Sequence, residues 1–166
     1  LFIIIEYILL SSGAPGFDQL QDRAAYYLKR YPSLARGWHF EIVAMCFVGA
    51  GALMRLDSAA KGGWALAAMG IAGVLPMYPL MIGGYPPALQ AAQDNVLAYE
   101  ILNEIAWEVF VAGNMVLNLG LALAFWLERQ APSQRAPNWI LWLGFLANLA
   151  AGLGRDRTRA KRSAGS

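Results

Sequence analysis

Three glutamates, Glu100, Glu104 and Glu108, are spaced four residues apart in the stretch YEILNEIAWEVF. On an α-helix they lie on one face, within an arc of about 80° that also contains Asn118, and Asn114 lies about 40° further round. Acids and amides in such a stripe would form a proton or cation path if they lined the interior of a membrane-spanning helix. If the glutamates instead lie in water and the asparagines bond to neighbouring helices, the stripe serves helix packing.

His39 and Glu41 form a second candidate group, at the start of the apolar stretch WHFEIVAMCFVGAGALMRL. Ionisable side chains inside a membrane are costly and are candidates for function, and histidine with carboxylates can bind a metal or transfer protons. The alternative is that Glu41 pairs with Arg36 or His39 and only orients the helix. The chain has one histidine and no spaced metal-ligand motif, so we predict no metal site and no cofactor.

The candidate polar site is therefore predicted to contain six side chains: His39, Glu41, Glu104, Glu108, Asn114 and Asn118. Its acidic members and the histidine, joined by Glu6, could converge if the helices that carry them end on one side of a membrane. The sequence contains no nucleotide-binding glycine loop, no nucleophile elbow and no nucleophile–base pair with motif spacing. We therefore favour a non-enzymatic protein. An enzyme acting on a lipid or quinone, with His39 and Glu41 as acid and base, is an alternative, as is a small transporter or channel protomer with an acidic mouth.

The elements that would position these residues are apolar runs. The chain of 166 residues is 58% hydrophobic and only 14% charged, whereas soluble proteins carry about 25% charged residues. Four runs have about the length that a helix needs to cross a bilayer, and they cover residues 38–56, 63–84, 109–127 and 138–154. Residues 1–10 are apolar but too few, so we expect a truncated first span. These features predict an all-α polytopic transmembrane bundle with four complete spans, forming one domain over residues 1–154.

The threading of these spans places residues 11–37, 85–108 and the tail on one side of the membrane. The tryptophans lie near the predicted ends of the spans, as expected for an aromatic belt. Nine Lys and Arg residues fall on the first side and four on the other, which predicts that the first side is cytoplasmic. The basic tail 155–166 is predicted to be disordered and to bind anionic lipid rather than nucleic acid.

Several shorter signals refine this threading. Residues 17–31 have an apolar face and are predicted to form an amphipathic surface helix that ends at Pro32. Pro76 and Pro79 are predicted to kink the second span. Asp94 and Asn95 are candidate caps of the helix that carries the glutamates. The single cysteine, Cys46, excludes an internal disulfide and is predicted to be a small buried hydrophobe. Small residues that would allow close helix approach are Gly49, Gly51, Gly70, Gly73, Gly144 and Gly152, although strict GxxxG spacing is missing from these runs.

Two stretches carry a resemblance, namely RYPSLARGWHFEIVAMCFVGAGALM and APNWILWLGFLANLAAGLG. In layout they resemble bacterial multi-pass membrane proteins of a domain-of-unknown-function family. The resemblance implies an inner-membrane helical bundle of four to six spans. It implies no catalytic or binding residues. The expected partners are the lipid bilayer and either a second copy of the chain or another membrane subunit.

Overall fold

The computed structural model describes residues 13–15, 19–130 and 137–153. All regular elements in these ranges are α-helices, which confirms the predicted all-α class. The helices are α1 (Leu20–Leu53), α2 (Lys61–Val74), α3 (Met77–Ala91), α4 (Leu97–Gln130) and α5 (Asn138–Leu153). The predicted partial span 1–10, with Glu6, and the predicted tail 155–166 lie outside the described residues.

Two helical segments have the length and hydropathy needed to cross a membrane. They are Lys61–Ala91, which combines α2 and α3, and Leu97–Gln130, which is α4. The apolar part of α5, Asn138–Ala150, is shorter. These two segments support a membrane location. The finer prediction of four complete spans stays a prediction.

Proline has different effects at two positions. The second span is interrupted as predicted, because α2 ends at Val74 and Pro76 is the residue that precedes α3. The predicted helix end at Pro32 is wrong, because α1 has 34 residues and continues through Pro32 to Leu53. Proline removes one backbone donor and disfavours a helix, but it does not forbid one when the flanking turns are held by packing.

The helices divide into two compact units. The first contains the described residues up to Met45 and Leu75–Val109, and the second contains Cys46–Val74 and the described residues from Phe110 onward. Each unit has its own buried side chains and its own kind of packing. The first contains an aromatic cluster from three helices, and the second contains a close contact between small residues of two helices in addition to its own ring contacts.

The second unit is built on an antiparallel contact between α2 and α4. Four buried α2 positions meet four buried α4 positions, and the pairs are Gly63 with Ala124, Ala67 with Gly120, Gly70 with Leu117, and Val74 with Gly113. The positions advance by four, three and four residues on both helices, which is the heptad spacing of left-handed helix packing. Each pair includes a glycine or alanine, and small residues allow two helix backbones to approach closely.

The closeness of this contact can be measured at the glycines. A Cβ atom added to Gly63 or Gly70 would lie 2.3 Å from the backbone nitrogen of the facing α4 residue, and one added to Gly120 would lie 2.3 Å from the nitrogen of Ala67. Ordinary side-chain contacts do not come this close, so these three positions admit only glycine at the observed helix separation. Gly73, which the sequence also suggested, is less constrained, with its nearest neighbour at 3.8 Å.

The first unit is held by an aromatic cluster drawn from three helices. Trp38 of α1 lies between Tyr31 and Tyr85, with ring centroids at 6.2 and 5.5 Å, and Tyr85 contacts Tyr99 of α4 at 6.0 Å. Edge-to-face packing of this kind adds to the stabilisation from area burial. Trp38 is buried in this cluster, so it contributes to the core of the unit as well as marking a predicted span end.

The Tyr31 hydroxyl of the same cluster supplies a hydrogen-bond donor that α3 lacks at Pro86. Pro86 lacks an N–H, so the carbonyl of Ile82, four residues earlier, loses its usual helical donor. The Tyr31 hydroxyl donates a short hydrogen bond to that carbonyl. Burial raises the pKa of Tyr31 above its ordinary value, which keeps the hydroxyl protonated and able to donate.

Removing this hydroxyl is expected to destabilise the protein only while Pro86 is present. Tyr31→Phe should lower the free energy of unfolding by about 1–2 kcal/mol, because a carbonyl is left without a donor. In a Pro86→Ala background the restored N–H can bond to Ile82, so the same substitution should cost less than half as much. Thermal unfolding in detergent, followed by circular dichroism, measures this cycle, and equal costs in both backgrounds would refute this role of the Tyr31 hydroxyl.

Candidate functional site

The three glutamates of the stripe lie on the exposed surface of the first unit. Glu100, Glu104 and Glu108 are all exposed. Helix α4 has 34 residues and is about 51 Å long at 1.5 Å per residue, which exceeds the ~30 Å core of a bilayer. The excess length accommodates the acidic turns outside the apolar stretch. The start of the helix is capped as predicted, because the Asn95 side chain accepts a hydrogen bond from the Leu97 backbone N–H at 2.9 Å.

The two asparagines bond within their own helix. Asn114 is 8% exposed, and its amide donates to the Phe110 carbonyl at 2.8 Å. Asn118 donates in the same way to the Asn114 carbonyl at 2.6 Å. We expected these amides to bond across a helix interface, but their NH₂ groups donate to carbonyls of their own helix. Each bond to the carbonyl four residues earlier satisfies one N–H of the amide within its own helix, so this donor needs no acceptor on the opposing helix.

His39 and Glu41 have different environments. His39 is exposed, and its Nδ1 lies 2.6 Å from the Ala35 carbonyl one turn earlier. Glu41 is partly buried, and its carboxylate lies near the hydroxyl of Tyr78. That hydroxyl is buried and makes no hydrogen bond of ordinary geometry with a described residue. The partner of Glu41 is thus neither Arg36 nor His39, and Arg36 donates to Ser33 instead at 3.3 Å.

These polar residues do not assemble a metal-binding group. Over the described ranges, no three side chains of histidine, cysteine, aspartate or glutamate lie close enough to hold one ion. The predicted convergence into one ion-binding group is therefore not seen for His39, Glu41, Glu104 and Glu108. In the interior of the first unit, Glu41 and Tyr78 are polar side chains that lie near each other.

The second unit contains a partly buried ion pair that sequence reasoning missed. Glu128 is 8% exposed, accepts a hydrogen bond from Arg55 at 2.6 Å, and accepts another from the Trp64 indole at 3.2 Å. The Arg55 guanidinium also lies 5.7 Å from the Trp64 ring centroid. The predicted threading placed all three residues at the same membrane side, but it treated Glu128 only as the end of a span. The signal available in the sequence was an acid and a base at matching span ends.

A second arginine of this unit lies against indole rings. The guanidinium carbon of Arg129 is 4.6 Å from the Trp126 ring centroid and 4.4 Å from that of Trp142. The two indoles contact each other at 5.7 Å, and Phe145 packs against both. Trp126 and Trp142, which the sequence placed at one predicted interface, thus both contact the Arg129 guanidinium.

Comparison with protein-family models, with curated protein sequences and with solved structures finds no match to this chain. The resemblance to a bacterial multi-pass family stays a prediction. Function is therefore argued from the geometry of the two units alone.

Proposed function

We propose that the chain is a multi-pass, non-enzymatic membrane protein that acts as a helical subunit, associating with lipid and with further copies or partner helices. The observation that carries this proposal is the exposure of large apolar side chains on α1 and the turn that follows it. In the second unit, Phe47 and Met54 are spaced seven residues apart and are 74% and 80% exposed, and in the first unit Phe40 is 67% exposed. Large apolar side chains that face outward are typical of surfaces that meet lipid or another protein.

The polar residues support a packing role over transport or catalysis. The stripe glutamates Glu104 and Glu108 are exposed, so they do not line an interior path. The asparagines donate to their own helix. His39 lies against the Ala35 carbonyl and Glu41 lies near Tyr78, so the contacts of the described residues do not join the two as an acid–base pair. The proposal includes the bacterial inner membrane as the location, with four complete spans and the basic tail on the cytoplasmic side.

Cys46 provides a direct test, because it is the only cysteine and is exposed on α1 within the predicted span 38–56. The prediction of a buried Cys46 is wrong for this reason: its side chain lies on the outer face of α1. If lipid covers that face, a water-soluble maleimide cannot reach the thiol. In membranes washed with alkaline carbonate, a water-soluble maleimide should label less than about one tenth of the chains. After denaturation in detergent, labelling should be complete.

The matched control moves the thiol to the exposed turn between α1 and α2. In a Cys46→Ala background, Asp57→Cys should be labelled rapidly in the same membranes, because Asp57 is exposed and lies outside the apolar stretch. Release of the chain by carbonate, or equal labelling at the two positions without detergent, would contradict the proposal.

A further inference from the structure

Arg129 forms no ion pair within the part of the chain that the structure describes. Among the described residues, none accepts a hydrogen bond from it or forms an ion pair with it, and its Nε is buried without a partner. The adjacent carboxylate of Glu128 is bonded to Arg55 and Trp64. The cation–π contacts with Trp126 and Trp142 orient the guanidinium plane but do not neutralise its charge.

We propose that Arg129 binds the phosphate group of an anionic phospholipid. A guanidinium is a planar fork of N–H donors that matches phosphate geometry, and because Nε of Arg129 is buried, its Nη groups are the donors that would meet the phosphate. Because Trp126 and Trp142 fix the plane of this fork, less conformational entropy is lost on binding. The faces of both rings toward the guanidinium are already occupied by this cation, so a zwitterionic headgroup such as choline gains no additional cation–π contact there.

The source of the phosphate is argued from the position of Arg129 in α4. It lies in the last turn of the helix, directly after the uncharged stretch 109–127. If α4 spans the bilayer, this turn lies at the level of the headgroups, where tryptophan and arginine are favoured. Trp139 of α5, which is 67% exposed, and Trp142 add apolar surface for the glycerol and acyl region. This inference rests on the proposed membrane function, and a free phosphate would gain nothing from these rings.

Lipid binding to the full chain in a non-ionic detergent tests the proposal. Native mass spectrometry can compare phosphatidylglycerol with diacylglycerol of the same acyl chains, and with inorganic phosphate as a competitor. The wild-type chain should bind phosphatidylglycerol at least about tenfold more tightly than diacylglycerol, since charge-assisted hydrogen bonds to phosphate are lost in the latter. Inorganic phosphate at the same concentration should not compete.

Arg129→Gln should remove that preference, and Arg36→Gln is the matched control. Arg36 is exposed, belongs to the other unit and bonds only to Ser33 among the contacts described above, so its loss should change the affinity by less than about twofold. Arg129→Lys keeps the charge but cannot form the stacked fork, and should lose most of the preference. It also serves as the second variant if Arg129→Gln fails to fold.

The outcomes separate this inference from the proposed function. Equal binding of the two lipids, equal losses in Arg129→Gln and Arg36→Gln, or effective competition by inorganic phosphate would each overturn the lipid site. A chain that resists carbonate but lacks the preference overturns the lipid site alone. A chain released by carbonate overturns the membrane function, whatever lipid it binds in detergent.

Discussion

Gly70→Ala is expected to lower the free energy of unfolding by about 2 kcal/mol or more. The added Cβ would lie 2.3 Å from the Leu117 nitrogen and 2.6 Å from its Cα. Both are backbone atoms, so no change of side-chain rotamer can relieve the overlap, and α2 and α4 must separate. The separation also loosens the neighbouring pairs of the heptad contact. This loss exceeds the gain of up to about 1 kcal/mol that alanine brings over glycine in a helix.

Gly62→Ala is the control, because it makes the same chemical change in the same helix. A Cβ at Gly62 meets nothing within 4 Å, so the helix propensity gain remains and the variant should be neutral or slightly more stable. Gly144→Ala should fall between the two, since its Cβ would lie 2.8 Å from the ring of Phe125, a side chain that can shift. Thermal unfolding in one detergent ranks the three variants, and equal stabilities of Gly62→Ala and Gly70→Ala would refute the close packing.

Glu128→Leu is expected to destabilise the protein by about 2 kcal/mol, because the partly buried Arg55 loses a charged hydrogen-bond acceptor. The same substitution removes the acceptor of the Trp64 indole. Glu128→Gln should cost less, because a carbonyl oxygen remains to accept that bond while the charge is lost. Chemical denaturation of the detergent-solubilised chain, followed by tryptophan fluorescence, measures both variants.

The double variant Arg55→Met with Glu128→Leu tests whether the cost arises from the pair. Replacing both members of a buried ion pair with apolar groups is often close to neutral, whereas removing one is not. The double variant should therefore regain more than half of the stability lost in Glu128→Leu. Additive losses in the double variant would show that Arg55 and Glu128 act independently.

Features that depend on neighbouring residues could be predicted from the sequence. Long apolar runs require helices, because a backbone in an apolar environment must satisfy its own hydrogen bonds. Pro76 interrupts a helix by removing a donor, and Asn95 caps one by supplying an acceptor. Both effects act within a turn of the residue. Pro32, Pro86 and Pro87 do not follow this rule, because α1 and α3 continue through them.

Features that depend on which helices meet could not be predicted in the same way. The small residues of the α2–α4 contact do not form strict GxxxG motifs, because each close approach needs one small residue from either helix, and the partner of Gly70 lies more than forty positions away. The same applies to Tyr78, which meets Glu41 across two helices, and to Arg55, which meets Glu128 from 73 residues away.

By itself the sequence determined the all-α class and the break at Pro76, whereas the predicted four complete spans compare with two segments of membrane-spanning length among the described residues. The tertiary structure decided which acid is buried with a base, which glycines admit no side chain, and which indoles surround Arg129. The reason is physical: hydrogen bonds and apolar periodicity act along one helix and are encoded at short range. Charge pairing and close packing depend on the register between helices, which is set only when the whole unit packs.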